Sequence, residues 1–212
     1  MFEMLIGGGG KPYYPKSGPG PKSLQYGNVQ AGYFGTLPQS QLFTPTEIFN
    51  SLNIPLLAPN TDTSLLWAKF YYQGKIIYLP TRAINTIGQV FSWEALYQLG
   101  VVYGVDGVGT YPSPTDQPYV QRTILVKTLE AKTAGFRISL PSVSKTDPAA
   151  SGQSSAGELA ELLAKIVASG TGAGTGVWDS LTTANFDSSS NEMTQNSASA
   201  ATTSYIYARG TP

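Results

Sequence analysis

The chain contains no histidine and no cysteine, so any chemistry it performs would have to rest on acids, lysines and tyrosines. Without imidazole there is no Ser-His-Asp triad, no histidine proton shuttle and no usual catalytic zinc site. Without thiols there is no disulfide, thiolate metal site or cysteine nucleophile. Carboxylate pairs remain, and two invite inspection. Glu158 and Glu161 stand three residues apart on one side of a predicted helix, and Asp179 and Asp187 lie near each other in sequence. Paired acids are the groups that cleave glycosidic bonds. Glu158, however, completes a capping box with Ser155, and Glu161 suits a solvated helix face, so neither requires a catalytic role.

Two glycine runs and one glycine-rich loop call for the same scrutiny. Gly7-Gly8-Gly9-Gly10-Lys11 lacks a preceding strand of useful length, and Pro12 stands where a phosphate loop needs a hydroxyl for magnesium. The run at 170–176 follows a predicted helix rather than a strand, the wrong order for a dinucleotide site. Asp106 sits among Gly104, Gly107 and Gly109, but one carboxylate falls short of the six to eight oxygens that calcium takes, and a tight surface loop is expected. No catalytic, cofactor-binding or metal-binding residue is assigned, and no cofactor is expected. Three Trp and thirteen Tyr could stack on sugars or anchor subunit interfaces. Trp67 and Trp93 fall inside predicted elements and are expected in the core; Trp178, Tyr205 and Tyr207 are left open between these roles.

Thirteen basic and thirteen acidic residues cancel, so no global field draws the protein to nucleic acid or acidic lipid, and no nucleic-acid partner is expected. Charged residues are 12% of the chain, against roughly 25% in ordinary soluble domains. A polar but weakly charged surface suits a subunit that buries much of itself in an assembly. The start, MFEMLI, has no basic region before it and does not read as a signal peptide. No apolar run approaches the roughly 20 residues of a membrane helix, so no membrane partner is expected and synthesis in the cytoplasm is.

The elements that would position these groups follow from pattern. Residues 1–23, with Gly7 to Gly10 and Pro12, Pro15, Pro19 and Pro21, read as an extended N-terminal arm, either a loose tail or a segment ordered on a neighbouring subunit. Residues 24–212 read as a single domain. Thr44-Pro45-Thr46-Glu47 is a helix start with a capping box, followed by Ile48, Phe49 and Leu52 and an end near Asn53. Leu65–Tyr72 and Lys75–Leu79, joined by Gln73-Gly74, form a hairpin with bulk on both faces, hence a central one. Trp67, Lys69 and Tyr71 point to one face; Leu66, Ala68, Phe70 and Tyr72 to the other. A second short helix starts at Ser92-Trp93-Glu94 and stops at Gly100, and residues 101–118 read as loop. Strands are expected at Tyr119–Leu129, Phe136–Leu140 and Ser204–Arg209, and a third helix carries Leu159, Leu162, Leu163, Ile166 and Val167. The fold class is α+β, mostly antiparallel β with three or so short helices, plus the extended Gly/Pro-rich arm.

In their order, Gly32-Tyr33-Phe34-Gly35, the helix capped by Thr44, Trp67-Ala68-Lys69-Phe70, Gly74 to Pro80, Phe91-Ser92-Trp93 and Leu99 to Gly104 resemble virion structural proteins of tailed bacteriophages. Gln121 to Leu125 looks like that family's arginine-bearing strand, and Glu192 to Gln195 and Tyr207 to Gly210 like its closing segments. The resemblance covers residues 24–210. It implies a non-enzymatic particle component of the tail, neck, baseplate or attached fibres, assembled in the host cytoplasm and resident in the virion. Its implied partners are other virion structural proteins and symmetric copies of itself, with host surface polysaccharide as the partner of an alternative binding role and capsid decoration as a further one. It supplies no catalytic residues.

Overall fold

The computed structural model describes residues 11–53, 58–81, 84, 93–109, 118–129 and 132–140, with the backbone of 207–210. The expected helix at 158–167, the glycine run at 170–176, the acids Glu158, Glu161, Asp179 and Asp187, and Trp178 lie outside the described residues, as do residues 1–10 and the side chain of Trp93.

One seven-stranded antiparallel sheet organises the chain: β1 (Tyr26–Gly27), β2 (Ala31–Pro38), β3 (Leu66–Tyr72), β4 (Lys75–Pro80), β5 (Ile124–Leu129), β6 (Lys132–Ser139) and β7 (Tyr207–Gly210). The order across it is β1-β2-β3-β4-β7-β6-β5, so two antiparallel runs are joined by β7, which pairs with β4 on one side and β6 on the other. Among the described residues two helices accompany it, α1 (Pro45–Leu52) and α2 (Trp93–Gln98), with a 3-10 turn at Gln39–Gln41. None of the described helices is long and apolar enough to cross a membrane.

The central hairpin forms where the sequence places it, within a residue at each end. Gln73 (φ 45°) and Gly74 (φ 82°) both take positive φ, the conformation whose twist suits a two-residue hairpin turn. Trp67, Lys69, Tyr78, Phe136 and Ile138 share one face of the sheet, called here the inner face, by alternation and register. Ala68, Phe70, Ile77 and Leu79 share the outer face and are fully buried too, so β3 and β4 are covered on both sides. At the other end the pattern changes: Ile124, Val126 and Thr128 on the outer face of β5 are exposed.

The inner face is filled by α1 and the chain leading into it. Thr44 accepts from the Glu47 amide at 3.2 Å, and the Glu47 carboxylate accepts from the Thr44 amide at 2.8 Å, completing the expected capping box. Asn53 closes the helix in the left-handed conformation. Ile48, Phe49 and Leu52 are buried, and Phe43 meets Phe136 edge-on at 5.2 Å. Trp67 lies in the core as expected, its indole N–H donating to the Phe43 carbonyl at 2.8 Å.

Three readings of the sequence need correction. The strand expected from Tyr119 begins only at Ile124, because the buried Gln121 amide donates to the carbonyls of Tyr97 and Tyr119 while its oxygen accepts from the Val102 amide. These bonds hold 119–123 against the end of α2 and the 101–109 loop rather than in a ladder. Residues 31–38, given no element, form β2; a bulge at Phe34 breaks its register with β3 between Tyr33 and Gly35. Residues 11–23, expected as an extended arm, double back on themselves. Tyr13 bridges Ser23, the Tyr14 amide donates to Lys22, and the Leu24 amide donates to Pro12. The loop so closed lies against the inner face of β2–β4, because three groups of that face reach into it.

Candidate functional site

The first of these groups is Lys69, a residue with no solvent exposure in the middle of a central strand. Its ammonium donates to the Ser17 hydroxyl at 2.9 Å and to the Pro21 carbonyl at 2.6 Å, and stands 4.7 Å from the centre of the Phe34 ring. None of these partners is a carboxylate. Burial of the unpaired charge, reinforced by the nearby Lys22, pulls its pKa down from 10.5 to about 7. The second group is Tyr78, whose hydroxyl is shared between the carbonyls of Ser17 (3.3 Å) and Pro19 (3.1 Å) and whose pKa burial drives upward. The third is an aromatic cluster in which Tyr14 of the loop meets Phe34 edge-on at 5.7 Å and Tyr71 at 5.6 Å. Lys22 turns back to the Gly18 carbonyl, so the carbonyls of residues 17, 18, 19 and 21 are all taken by side chains.

Local sequence makes this packing possible. Gly18 takes φ +76°, and a Cβ there would stand 2.7 Å from the Tyr78 hydroxyl. Prolines at 15, 19 and 21 restrict the loop before it docks, which reduces the entropy lost in ordering it. An amine of near-neutral pKa is a base or nucleophile when a reactant reaches it. Lys69 is sealed beneath the loop, and its geometry is that of an internal tie.

A second constellation surrounds Asp106. One Arg137 nitrogen donates to both carboxylate oxygens, at 3.0 and 2.9 Å, and Arg122 approaches at 3.1 Å. The hydrogen bond from Arg137 lowers the Asp106 pKa, the small desolvation works against it, and the charges of both arginines add to the lowering. Arg137 also donates to the Gly104 carbonyl at 3.3 Å. The loop that suggested calcium therefore presents its carboxylate to two guanidiniums. Among the described residues no group of three acids is placed to hold a metal ion.

The third is Glu47 of α1. Burial pushes its carboxyl up, but the hydrogen bond from Lys127 of β5 and those from Thr44 outweigh it, and its pKa lies below the usual value. Lys127 also lies 5.6 Å from the centre of the Phe43 ring. Sequence reading explained Glu47 by capping alone and gave Lys127 no role. Lys69 was placed on the correct face with Trp67, but a lone lysine in an apolar strand was the only signal, and its partners lie 48 and 52 residues away.

Compared with protein-family models, with curated proteins and with solved structures, the chain finds no match. Its functional reading rests on its own residues.

Proposed function

We propose that the protein is a non-enzymatic structural component of a tailed bacteriophage particle, of the tail, neck, baseplate or attached fibres, built in several copies against other virion proteins. The observation that carries the reading is the use made of charge. Lys69, Glu47, Lys127, Asp106, Arg122 and Arg137 each tie one part of the fold to another. Reactive groups used as internal ties, in a chain of only 12% charged residues with neither histidine nor cysteine, favour a scaffold over a catalyst. The succession of motifs from Gly32 to Gly210 that resembles phage virion proteins supplies the setting.

A second reading, binding of host surface polysaccharide at a fibre or tail tip, is favoured by the exposed ring of Tyr119, which packs edge-on against Tyr97 at 6.2 Å beside the 101–109 loop. Immunogold labelling of purified particles separates the two. Regular label on neck, tail shaft or baseplate is the expected result. Label confined to fibre tips would put host binding first, and particles without label would overturn both.

A further inference from the structure

Among the described residues the two edges of the sheet are unlike. At one, β1 is two residues long and ends at Gly27 (φ +79°), where an added Cβ would collide with the Ala31 carbonyl at 2.2 Å. At the other, β5 pairs with β6 without a break in register over all six residues, Ile124–Leu129. It contains no proline and no bulge, two of the devices that blunt an open edge, and Lys127 is its one charged residue. Its outer face exposes apolar side chains, Val126 at 64% and Ile124 at 40%. Its inner face carries Leu125, Lys127 and Leu129.

The chain holds a six-residue segment of matching pattern. Met1-Phe2-Glu3-Met4-Leu5-Ile6 is apolar apart from one acid and is followed by Gly7 to Gly10. Laid antiparallel to β5 with Ile6 opposite Ile124 and Met1 opposite Leu129, it puts Glu3 directly opposite Lys127, whose ammonium is also bonded to Glu47. Every apolar residue but Phe2, which faces Thr128, then meets an apolar one. Met4 and Ile6 extend the exposed row of Val126 and Ile124, while Met1 and Leu5 extend the inner face. A parallel alignment over the same six residues sets Glu3 against Val126 instead, so the charge selects direction and register.

We propose that residues Met1–Ile6 of one copy add as an antiparallel eighth strand to the β5 edge of a second copy. Reach argues for the second copy. Lys11 lies at the β1 end of the sheet, bonded to Gln25 and 5.9 Å from the Tyr26 ring centre. The five residue steps from Ile6 to Lys11 extend about 18 Å at most, whereas seven inter-strand steps from β1 to a strand added beyond β5 amount to about 34 Å along the sheet. Donor and acceptor lie on different surfaces of each copy, so the contact is head-to-tail and closes into a ring or runs on as a chain. The inference concerns self-association of the chain and stands independently of its assignment to a phage particle.

The test is the mass of the full chain by light scattering over a range of concentrations, beside two variants. Deletion of residues 1–6 leaves an acceptor without a donor. Val126→Asp, at an exposed position, leaves a donor without an acceptor. The full chain is expected to form multimers, each variant alone to be a monomer, and an equimolar mixture of the two to form a 1:1 dimer. Glu3→Lys is expected to weaken multimers at least tenfold, and a synthetic peptide of residues 1–10 to bind the deleted chain but not its Val126→Asp form. A full chain that stays monomeric at all concentrations, by internal docking or otherwise, would overturn the proposal, as would variants that multimerise like the parent or that fail to complement each other.

Discussion

At the β2–β4 end of the sheet a buried ammonium, Lys69, is held by a hydroxyl, a carbonyl and a ring, whereas at the β5–β6 end Lys127, Arg122 and Arg137 are held by carboxylates. The first arrangement takes a charge out of water with no opposite charge beside it among the described residues, and burial lowers its pKa to about 7. The second leaves its groups partly in solvent, where each pair is screened and contributes modestly. The contrast teaches how one sheet can carry a covered end and an open end. Where both faces are covered, even a lysine must find its partners inside. Where one face is open, charges stay at the rim and the apolar residues of the edge remain available.

The largest expected effect lies at the closed end. Phe34→Ala removes a fully buried ring that supports Lys69 and touches Tyr14 and Tyr71. A loss of roughly 3–5 kcal/mol is expected from denaturant unfolding. Val126→Ala on the open face is expected to cost less than about 0.5 kcal/mol. Equal costs at the two positions would remove the distinction between the ends.

Lys69 sharpens the comparison, because its charge and its packing separate by substitution. Lys69→Ala leaves a cavity and strips the Ser17 hydroxyl and Pro21 carbonyl of their donor, with an expected loss of about 2–4 kcal/mol. Lys69→Met keeps most of the volume and removes the buried charge, so it is expected to be the milder change. The pH dependence follows from the lowered pKa. Between about 7 and 10.5 the unfolded chain binds more protons than the folded one, so stability rises with pH across that window. Below pH 7 both states carry the proton and this contribution is constant at its least favourable. At about 1.4 kcal/mol per pKa unit the rise is on the order of a few kcal/mol. Urea unfolding midpoints between pH 6 and 10 are expected to climb in the parent and to lose that component in Lys69→Met. A parallel climb in both would assign the effect to another group.

How far the sequence revealed this contrast depends on whether each feature is local. The capping box at Thr44 and the Gln73-Gly74 hairpin are set by neighbours within a few residues, and both are found where expected. The alternation of Trp67, Lys69 and Tyr71 assigned Lys69 its face. It could not show that the carbonyl lying over that face belongs to Pro21. Strand β2 was hidden because Gly32, Gly35 and Pro38 are weak strand formers. In the fold the two glycines leave room for neighbours: a Cβ on Gly32 would meet Leu24 at 2.7 Å, and one on Gly35 would touch Pro21 at 3.4 Å. The same composition that argued for a loose arm at 11–23 thus serves a loop packed closely on its own sheet.

An intermediate effect is expected where the two ends meet across the inner face. Thr44→Ala removes one half of the capping box and a hydrogen bond to Glu47, the residue that also receives Lys127. A loss of about 1 kcal/mol is expected from the cap alone. Combined with Lys127→Met, the loss should fall short of the sum of the two single changes, since both act through the Glu47 carboxylate. Strict additivity in a double-mutant cycle would show that cap and cross-strand tie are independent.

The smallest effect is expected at Asp106, which bears the greatest number of charged partners in the open region. Its carboxylate faces solvent, so attraction to Arg137 and Arg122 is weakened by water and salt. Asp106→Asn is expected to lower the unfolding midpoint only slightly in dilute buffer and not detectably in 1 M salt. Because the folded pKa is depressed, whatever Asp106 contributes is present above the ordinary aspartate value and fades as pH falls through the folded one. Its dependence therefore lies on the acid side, whereas that of Lys69 lies above neutrality. A salt-insensitive loss as large as that of Lys69→Met would mean that the Asp106 loop is held as tightly as the covered end.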